Sequence, residues 1–206
     1  MFLREVDMSL PVHCRVVVAV VLVTMAAGCL PVLAQTVEYE LLAGSSEVGF
    51  EGSSTLHDFT GRTTQVSGRV RFDPRDPGRQ PRAHIEVQAA SLDTDNKGRD
   101  RQMYKRLETD RYPLIAFDLE DFELGAREDA GSLSGIARGT ISIHGVSRPL
   151  AMEVTLLPEE GDGWKVVGRA DLEMPAFSIK PPRVLGFIKV DPRVTIFIAL
   201  HLEPHS

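Results

Sequence analysis

Apolar and polar residues alternate in many short runs along most of the chain. The clearest runs are residues 47–51, 69–72, 84–88, 115–119, 140–144, 152–156 and 194–198. Successive side chains of a β-strand point to opposite faces, so a period of two predicts strands with one dry face and one wet face. Clusters of Pro, Gly and Asp at 73–78, 158–163 and 180–183 indicate turns between the strands. The pattern therefore predicts an all-β protein.

One segment breaks this period, because residues 96–107 favour a short helix. Asp95 or Asn96 can cap its start, and Met103, Tyr104 and Leu107 lie along it. Short strands with regular turns indicate a sandwich or a barrel, and periodicity alone does not distinguish the two. A closed antiparallel barrel of about eight strands has no exposed edge and can hold a small ligand.

The apolar positions of the alternating runs form the inward face of such a barrel. If the barrel is hollow, these side chains contact the ligand; if it is solid, the same side chains fill its core. The predicted contacts are Val48, Phe50, Val70, Phe72, Ile85, Val87, Ile115, Phe117, Ile141, Ile143, Val154, Ile196 and Ile198, with Leu119 and Leu156 as further inward positions.

The first 34 residues differ in composition from the rest of the chain. Arg4 and Arg15 precede an apolar run of 12 residues, 16–27. This length is typical of a signal peptide and is shorter than the roughly 18 residues that a membrane span requires. Counting on to Ala34 lengthens the apolar stretch, which leaves a retained anchor as an alternative. The sequence predicts a signal peptide, 1–34, followed by one domain, 35–206.

Two processing sites compete within this leader. Val32, Leu33 and Ala34 form a small-residue cleavage site before Gln35, and residues 26–29 resemble a lipoprotein box in which Cys29 is lipidated. The first predicts a periplasmic or secreted protein. The second predicts a lipid-anchored outer-membrane lipoprotein, and membrane association is expected only in that case.

Charge and cysteine content exclude several classes of function. A net charge of −6 without a basic stripe argues against nucleic-acid binding, which needs clustered Lys and Arg. The two cysteines, Cys14 and Cys29, both lie in the leader. Cleavage after Ala34 would leave a domain without thiols, which excludes disulfides, a cysteine nucleophile and thiolate metal sites.

The sequence offers no catalytic constellation, because nucleophile elbows and glycine-rich phosphate loops are absent from it. We therefore expect a binding protein rather than an enzyme, with no metal and no cofactor. His57 is predicted to be a hydrogen-bonding residue near the barrel mouth, and contact with a ligand head group is the alternative. His144, just before Gly145, is predicted to fix a turn.

Four blocks carry a resemblance that spans nearly the whole predicted domain. They are SEVGF (46–50) with STLHDFTG (54–61) and VSGRVRFD (66–73); SLDTDN (91–96) with RD (99–100) and RYPLIAF (111–117); GTISIHGVSRPL (139–150); and the last strand, 194–202. In this order they resemble the YceI-like family of bacterial lipid- and polyisoprenoid-binding proteins. Residues 173–180 differ from the motif that many members of the family have at this place. The resemblance is therefore a better guide to the fold than to the identity of the ligand.

The resemblance implies a lipocalin-like, eight-stranded antiparallel barrel with an elongated apolar ligand inside it. The expected ligand is a polyisoprenoid, an isoprenoid quinone or another lipid, and the expected function is that of an exported carrier. An envelope-stress or interaction module with a filled barrel is the alternative, and an enzyme acting on a lipid head group is a third class. The sequence predicts no oligomeric state.

Overall fold

Antiparallel pairing joins the strands into one sheet that closes on itself. The computed structural model describes residues 35–127, 131–184 and 188–205, so the predicted leader with Cys29 and Ala34 lies outside the described residues. The strands are β1 Val37–Leu41, β2 Glu47–Ser54, β3 Asp58–Thr63, β4 Val66–Phe72, β5 Arg82–Gln88, β6 Leu114–Arg127, β7 Leu133–Ile143, β8 Val146–Pro158, β9 Trp164–Glu173, β10 Arg183–Val184 and β11 Ile188–Pro204. Helix α1 spans Lys97–Leu107.

Strand β11 closes the barrel because it is long enough to pair with two strands along one edge. Its other edge pairs with β9. Along the first edge, β2 pairs with Val190 to Ala199, and β1 pairs with Leu202 to Pro204. The closed ring therefore contains eight strands in the order β1, β4, β5, β6, β7, β8, β9 and β11. The predicted eight-stranded antiparallel barrel with one helix is confirmed.

Strands β2 and β3 extend the barrel wall beyond the ring of eight. β3 pairs with β2, and a bridge between Arg62 and Asp93 attaches it to the segment that follows β5. The short strand β10 pairs with the first residues of β11. The barrel wall is therefore taller on the side formed by β2 and β3. Helix α1 follows Asp93 in the chain and lies at the end of the barrel toward which this wall extends.

The alternation of side chains is clearest in β8. Leu150, Met152 and Val154 are buried, whereas Ala151 and Glu153 between them are exposed. Each buried side chain points into the barrel and each exposed one into solvent, as the period of two requires.

Aromatic side chains fill one end of the barrel. Tyr39 is 1% exposed, and its ring stacks on Phe72 with centroids 4.9 Å apart. Phe72 in turn contacts Trp164 edge to face at 5.9 Å. Burial raises the pKa of the Tyr39 hydroxyl. The predicted turn that begins at Asp73 lies at this end, and its Pro77 is buried.

Helix α1 occupies the opposite end, and of the two predicted capping residues, Asp95 and Asn96, the N-cap is Asn96. The Asn96 side-chain oxygen accepts hydrogen bonds from the backbone N–H groups of Gly98 and Arg99. Such a cap satisfies backbone donors that the first helical turn leaves without partners. Tyr104 fastens the helix to the barrel, because its hydroxyl donates to the Leu92 carbonyl at 2.6 Å.

The turn between β7 and β8 consists of His144 and Gly145, both with positive φ. This is the two-residue geometry that suits the twist of a hairpin. His144 lies in the turn as predicted, and its Nδ1–H donates to the Phe177 carbonyl at 3.1 Å. Its Nε2 lies 3.3 Å from Glu108 Oε1, but the geometry of this pair is not that of a hydrogen bond. The turn is thereby fixed to the segment after β9.

Candidate functional site

Two cavities lie inside the barrel and adjoin each other. The inner cavity has a volume of about 160 Å³, and all its lining residues are apolar. The mouth cavity has a volume of about 330 Å³ and lies under α1. Ile115 on β6 and Ile196 on β11 line both cavities, so the two spaces meet at these side chains.

The structure places every predicted ligand contact on the wall of one cavity or the other. Phe50 and Ile143 line the mouth cavity, and Ile115 and Ile196 line both. The others line the inner cavity, as do Leu119 and Leu156: they are Val48, Val70, Phe72, Ile85, Val87, Phe117, Ile141, Val154 and Ile198. Contact of these side chains with a ligand stays a prediction.

Several inward side chains keep accessible surface although they point into the barrel. Phe117, Ile196 and Ile198 are only half-buried, whereas Ile141 and Val154 are buried. A close-packed core leaves few voids larger than a water molecule. The interior along β6 and β11 is therefore hollow rather than filled.

The wall of the mouth cavity formed by α1 is a regular helical stripe. Arg99, Gln102, Met103, Arg106 and Leu107 line the cavity, and their spacing of three and four positions places them on one face of the helix. Gln102 and Arg106 are also exposed, so the cavity reaches the surface beside them. This opening combines an apolar interior with a polar, cationic rim.

Arg99 is held at this rim by three hydrogen bonds. Nε donates to Thr94 Oγ1 at 2.9 Å, Nη2 donates to the Thr94 carbonyl at 2.8 Å, and Nη1 lies 3.2 Å from His57 Nε2. The guanidinium carbon also lies 4.8 Å from the centre of the Phe59 ring. An arginine only donates, so the neutral His57 ring accepts at Nε2 and carries its proton on Nδ1.

Thr94 is itself fixed by a buried carboxylate. Asp100 is 2% exposed, and its Oδ1 accepts from the Thr94 backbone N–H at 3.0 Å and from Thr94 Oγ1 at 2.6 Å. Lys97 Nζ lies 3.7 Å from Asp100 Oδ2. Asp100 therefore holds the loop that holds Arg99.

His57 lies on the exposed turn between β2 and β3 and lines the mouth cavity. Ser54 shapes this turn, because its hydroxyl donates to the His57 carbonyl at 2.9 Å. Below the turn, the Phe50 ring lies across Gly61, where a Cβ would collide with it. The role of His57 at the barrel mouth, including contact with a ligand head group, stays a prediction.

The segment after β9 forms the wall opposite α1. Met174 to Phe177 make a 3₁₀ turn, and Met174, Phe177 and Ile179 line the mouth cavity. Ser178 has a positive φ and ends the turn. These residues lie within 173–180, the stretch that departs from the family motif.

Some cavity residues were missed by the sequence prediction. Val166 and Leu172 on β9 line the cavities, as do Arg99, Gln102 and Arg106 on α1. The helix residues carry a usable signal, since their spacing predicts one face. On β9, Gly168 and Ala170 share the inward parity with Val166 and weaken the alternation.

Residues 39–202 match the family model described as the YceI-like domain. The chain belongs to the YceI-like family. Two curated relatives of this YceI-like protein are UPF0312 proteins. The protein of Pseudomonas fluorescens is 23% identical over 61% of this chain and 69% of its own length. That of Pseudomonas paraeruginosa is 25% identical over 58% of this chain and 63% of its own length.

Three solved structures share the fold of this YceI-like barrel. BcnA of Burkholderia cenocepacia is 18% identical, with a TM-score of 0.66 over 78% of this chain and 98% of BcnA. A polyisoprenoid-binding domain of Saccharophagus degradans is 15% identical, with a TM-score of 0.65 over 82% of this chain and 99% of that domain. The YceI protein of Campylobacter jejuni is 16% identical, with a TM-score of 0.52 over 68% and 81%.

Metal-binding geometry is absent from the described part of this YceI-like chain, which holds no group of three His, Cys, Asp or Glu side chains suited to a metal ion. His201 and His205, four positions apart, contact different carboxylates: Glu159 at 3.0 Å and Glu40 at 3.2 Å. Among the described residues, no helix has the length and apolar character to cross a membrane.

Proposed function

We propose that this protein is an exported carrier that holds a long apolar ligand inside its barrel. The observation that carries the proposal is the meeting of two apolar cavities at Ile115 and Ile196. Two adjoining cavities, one open at the rim beside α1 and one deeper in the barrel, suit an elongated tail rather than a compact molecule. The ligand enters tail first, and its head group stays at the rim.

Burial of the tail supplies the binding free energy. Each buried CH₂ contributes about 0.8 kcal/mol, and ordering the flexible tail offsets part of this gain. Even an apolar cavity of about 150 Å³ can bind benzene in an engineered protein. The inner cavity is of that size and the mouth cavity is larger. Tail length and width, rather than a polar motif, then set the specificity.

A polyisoprenoid or an isoprenoid quinone is the ligand class that we favour, and other lipids with one long tail fit the same space. The fold neighbour from Saccharophagus degradans is a polyisoprenoid-binding domain, which supports this choice. A carrier is useful for such molecules because free apolar chains partition into membranes or aggregate in water.

Export follows from the predicted leader. Cleavage after Ala34 would give a periplasmic or secreted protein, and lipidation of Cys29 would give a lipoprotein anchored to the outer membrane. The intact mass of the protein recovered from the cell envelope distinguishes a chain that begins at Gln35 from an acylated chain that begins at Cys29.

The alternative function is an envelope-stress or interaction module whose barrel interior is filled and binds nothing. That hypothesis requires a packed core. The residual accessible surface of Phe117, Ile196 and Ile198 inside the barrel favours the carrier instead.

Mass spectrometry of an organic extract tests the carrier function directly. The full-length protein is expressed with its own leader, purified under native conditions without detergent, and extracted. We expect a long-tailed apolar compound in near-stoichiometric amount. A globular exported protein from the same cells, purified in parallel, controls for contaminating lipid. An extract that matches this control, together with no uptake of added isoprenoid quinone, would overturn the proposal.

A further inference from the structure

We infer that the ligand carries an acidic head group, a carboxylate or a phosphate, which binds Arg99 at the rim of the mouth cavity. The inference rests on the proposed function and narrows its ligand class, because a quinone head group is not acidic whereas a phosphorylated polyisoprenoid or a long-chain fatty acid has an acidic head group. Arg99 lines the cavity together with His57 and the helical stripe of α1.

Arg99 keeps donors available for a ligand. A guanidinium has five N–H groups, and three of them are used by Thr94 Oγ1, the Thr94 carbonyl and His57 Nε2. Two N–H groups remain, one on each terminal nitrogen. The guanidinium carbon lies 4.8 Å from the centre of the Phe59 ring, and the three hydrogen bonds fix its position. A planar fork held in this way is preorganised for a carboxylate or a phosphate oxygen.

The charge of Arg99 has no direct counterpart within the described side chains. Hydrogen bonds connect it to a hydroxyl, a carbonyl and an imidazole, and none of the ion pairs of the described residues includes it. The nearby carboxylate of Asp100 is occupied by Thr94 at Oδ1. When an apolar tail fills the cavity, water leaves the rim, and a desolvated cation needs an anion beside it.

The charge distribution supports an anion at the same place. The chain has a net charge of −6, yet the described residues that line the mouth cavity include two cations, Arg99 and Arg106, and no carboxylate. Arg106 lies seven positions beyond Arg99, about two helical turns further along the stripe. An acidic ligand is therefore repelled by much of the surface and attracted to this rim.

The chain offers a matched control for Arg99 on the same helix. Arg101 is two positions further along and exposed, and it does not line the mouth cavity. Arg99→Met and Arg101→Met remove the same charge from α1, so long-range electrostatics change equally. Only the first substitution removes the fork at the rim.

Competition binding with ligands of matched tail tests the inference. Hexadecanoic acid, hexadecyl phosphate and methyl hexadecanoate displace a fluorescent apolar dye from the full-length protein. We expect the wild type to bind the acid or the phosphate about tenfold more tightly than the ester, the effect of one charge-assisted hydrogen bond. We expect Arg99→Met to bind the ester as the wild type does but to lose the preference for the acidic ligands. We expect Arg101→Met to retain that preference. The stronger of the two acidic ligands identifies carboxylate or phosphate as the preferred group.

Equal binding of ester and acid by the wild type would overturn the inference and leave the carrier function intact. Retention of the preference in folded Arg99→Met would do the same. If Arg99→Met fails to fold, the affinities of the wild type for acid and ester still test whether an acidic head group is preferred. Arg99→Lys keeps the charge and removes the fork, and this variant is then expected to show a weaker preference for the acid. Failure of all three ligands to displace the dye counts against the proposed function itself.

Discussion

Ile115 on β6 and Ile196 on β11 line both cavities, so these two side chains lie at the boundary between them. β6 and β11 are not paired with each other in the sheet. The junction between the cavities is therefore lined by side chains from strands on opposite sides of the ring.

The first prediction is that Ile196→Trp shortens the tail that the barrel can hold. The larger ring fills the junction, so ligands that fit the mouth cavity still bind, and longer ones lose about tenfold or more in affinity. Binding of a series of alkyl tails of increasing length measures this effect. Overpacking also costs about 1–3 kcal/mol of stability, which a urea titration reports separately.

Thr195→Trp is the control for this change. Thr195 is the neighbouring residue on β11 and its hydroxyl donates outside the barrel to Asp171 at 2.7 Å. The dependence of affinity on tail length is expected to remain that of the wild type. An unchanged dependence in Ile196→Trp would mean that the ligand does not pass from one cavity to the other.

Most of the barrel was predictable because its strands have one wet face and one dry face. β8 shows the period without exception from Leu150 to Leu156, and the Asn96 cap of α1 is a local signal. β9 was missed because Gly168 and Ala170 occupy inward positions and Val167 lies on the other face. Such a strand has no clear alternation to detect.

The hollow interior was not predictable from the same residues. Ile115 and Ile196 would have an identical pattern in a solid core, because local periodicity specifies the face of a strand and not the distance across the barrel. The contact of Arg99 with His57 likewise joins α1 to the turn between β2 and β3. Both features depend on how distant strands close the ring.

The second prediction concerns the buried carboxylate under the rim. Asp100→Ala leaves the Thr94 N–H and hydroxyl without their acceptor, and we expect the free energy of unfolding to fall by about 1–3 kcal/mol. Urea denaturation measures the change. Asp110→Ala removes an exposed carboxylate from the segment after α1 and is expected to change the stability by less than about 0.5 kcal/mol. Equal losses in both variants would contradict the role of Asp100.

The third prediction separates backbone strain from steric contact at two glycines. Gly145 has a φ of +71°, and an added Cβ would meet the Tyr112 ring. Gly44 has a φ of +79° with open space around it. Alanine at either position bears the left-handed penalty of about 1–2 kcal/mol, so Gly145→Ala is expected to destabilise the protein more than Gly44→Ala. If chemical denaturation gave the same loss for both, the Tyr112 contact would not constrain the turn.

The fourth prediction is a pH-dependent contribution of His84 to stability. Hydrogen bonds with Asp118 and then Glu86 raise the pKa of His84 above its ordinary value of 6.5. Its Nδ1 lies 2.6 Å from Asp118 Oδ1, and Nε2 lies 3.3 Å from Glu86 Oε1. A raised pKa means that the folded protein binds the proton more tightly, so the stabilisation is fully present below pH 6.5 and is lost as the pH rises through the raised value.

His84→Gln should therefore lower the stability at about pH 6 and have little effect at about pH 9. The ion pairs are more than half exposed at the imidazole, so the loss at the lower pH stays within about 1 kcal/mol. Thermal unfolding of both proteins across this pH range measures it. In an Asp118→Asn background the largest cause of the shift is gone, and the destabilisation that His84→Gln causes at the lower pH is expected to shrink. A destabilisation that grows as the pH rises would have the opposite sign and would contradict the coupling of His84 to these carboxylates.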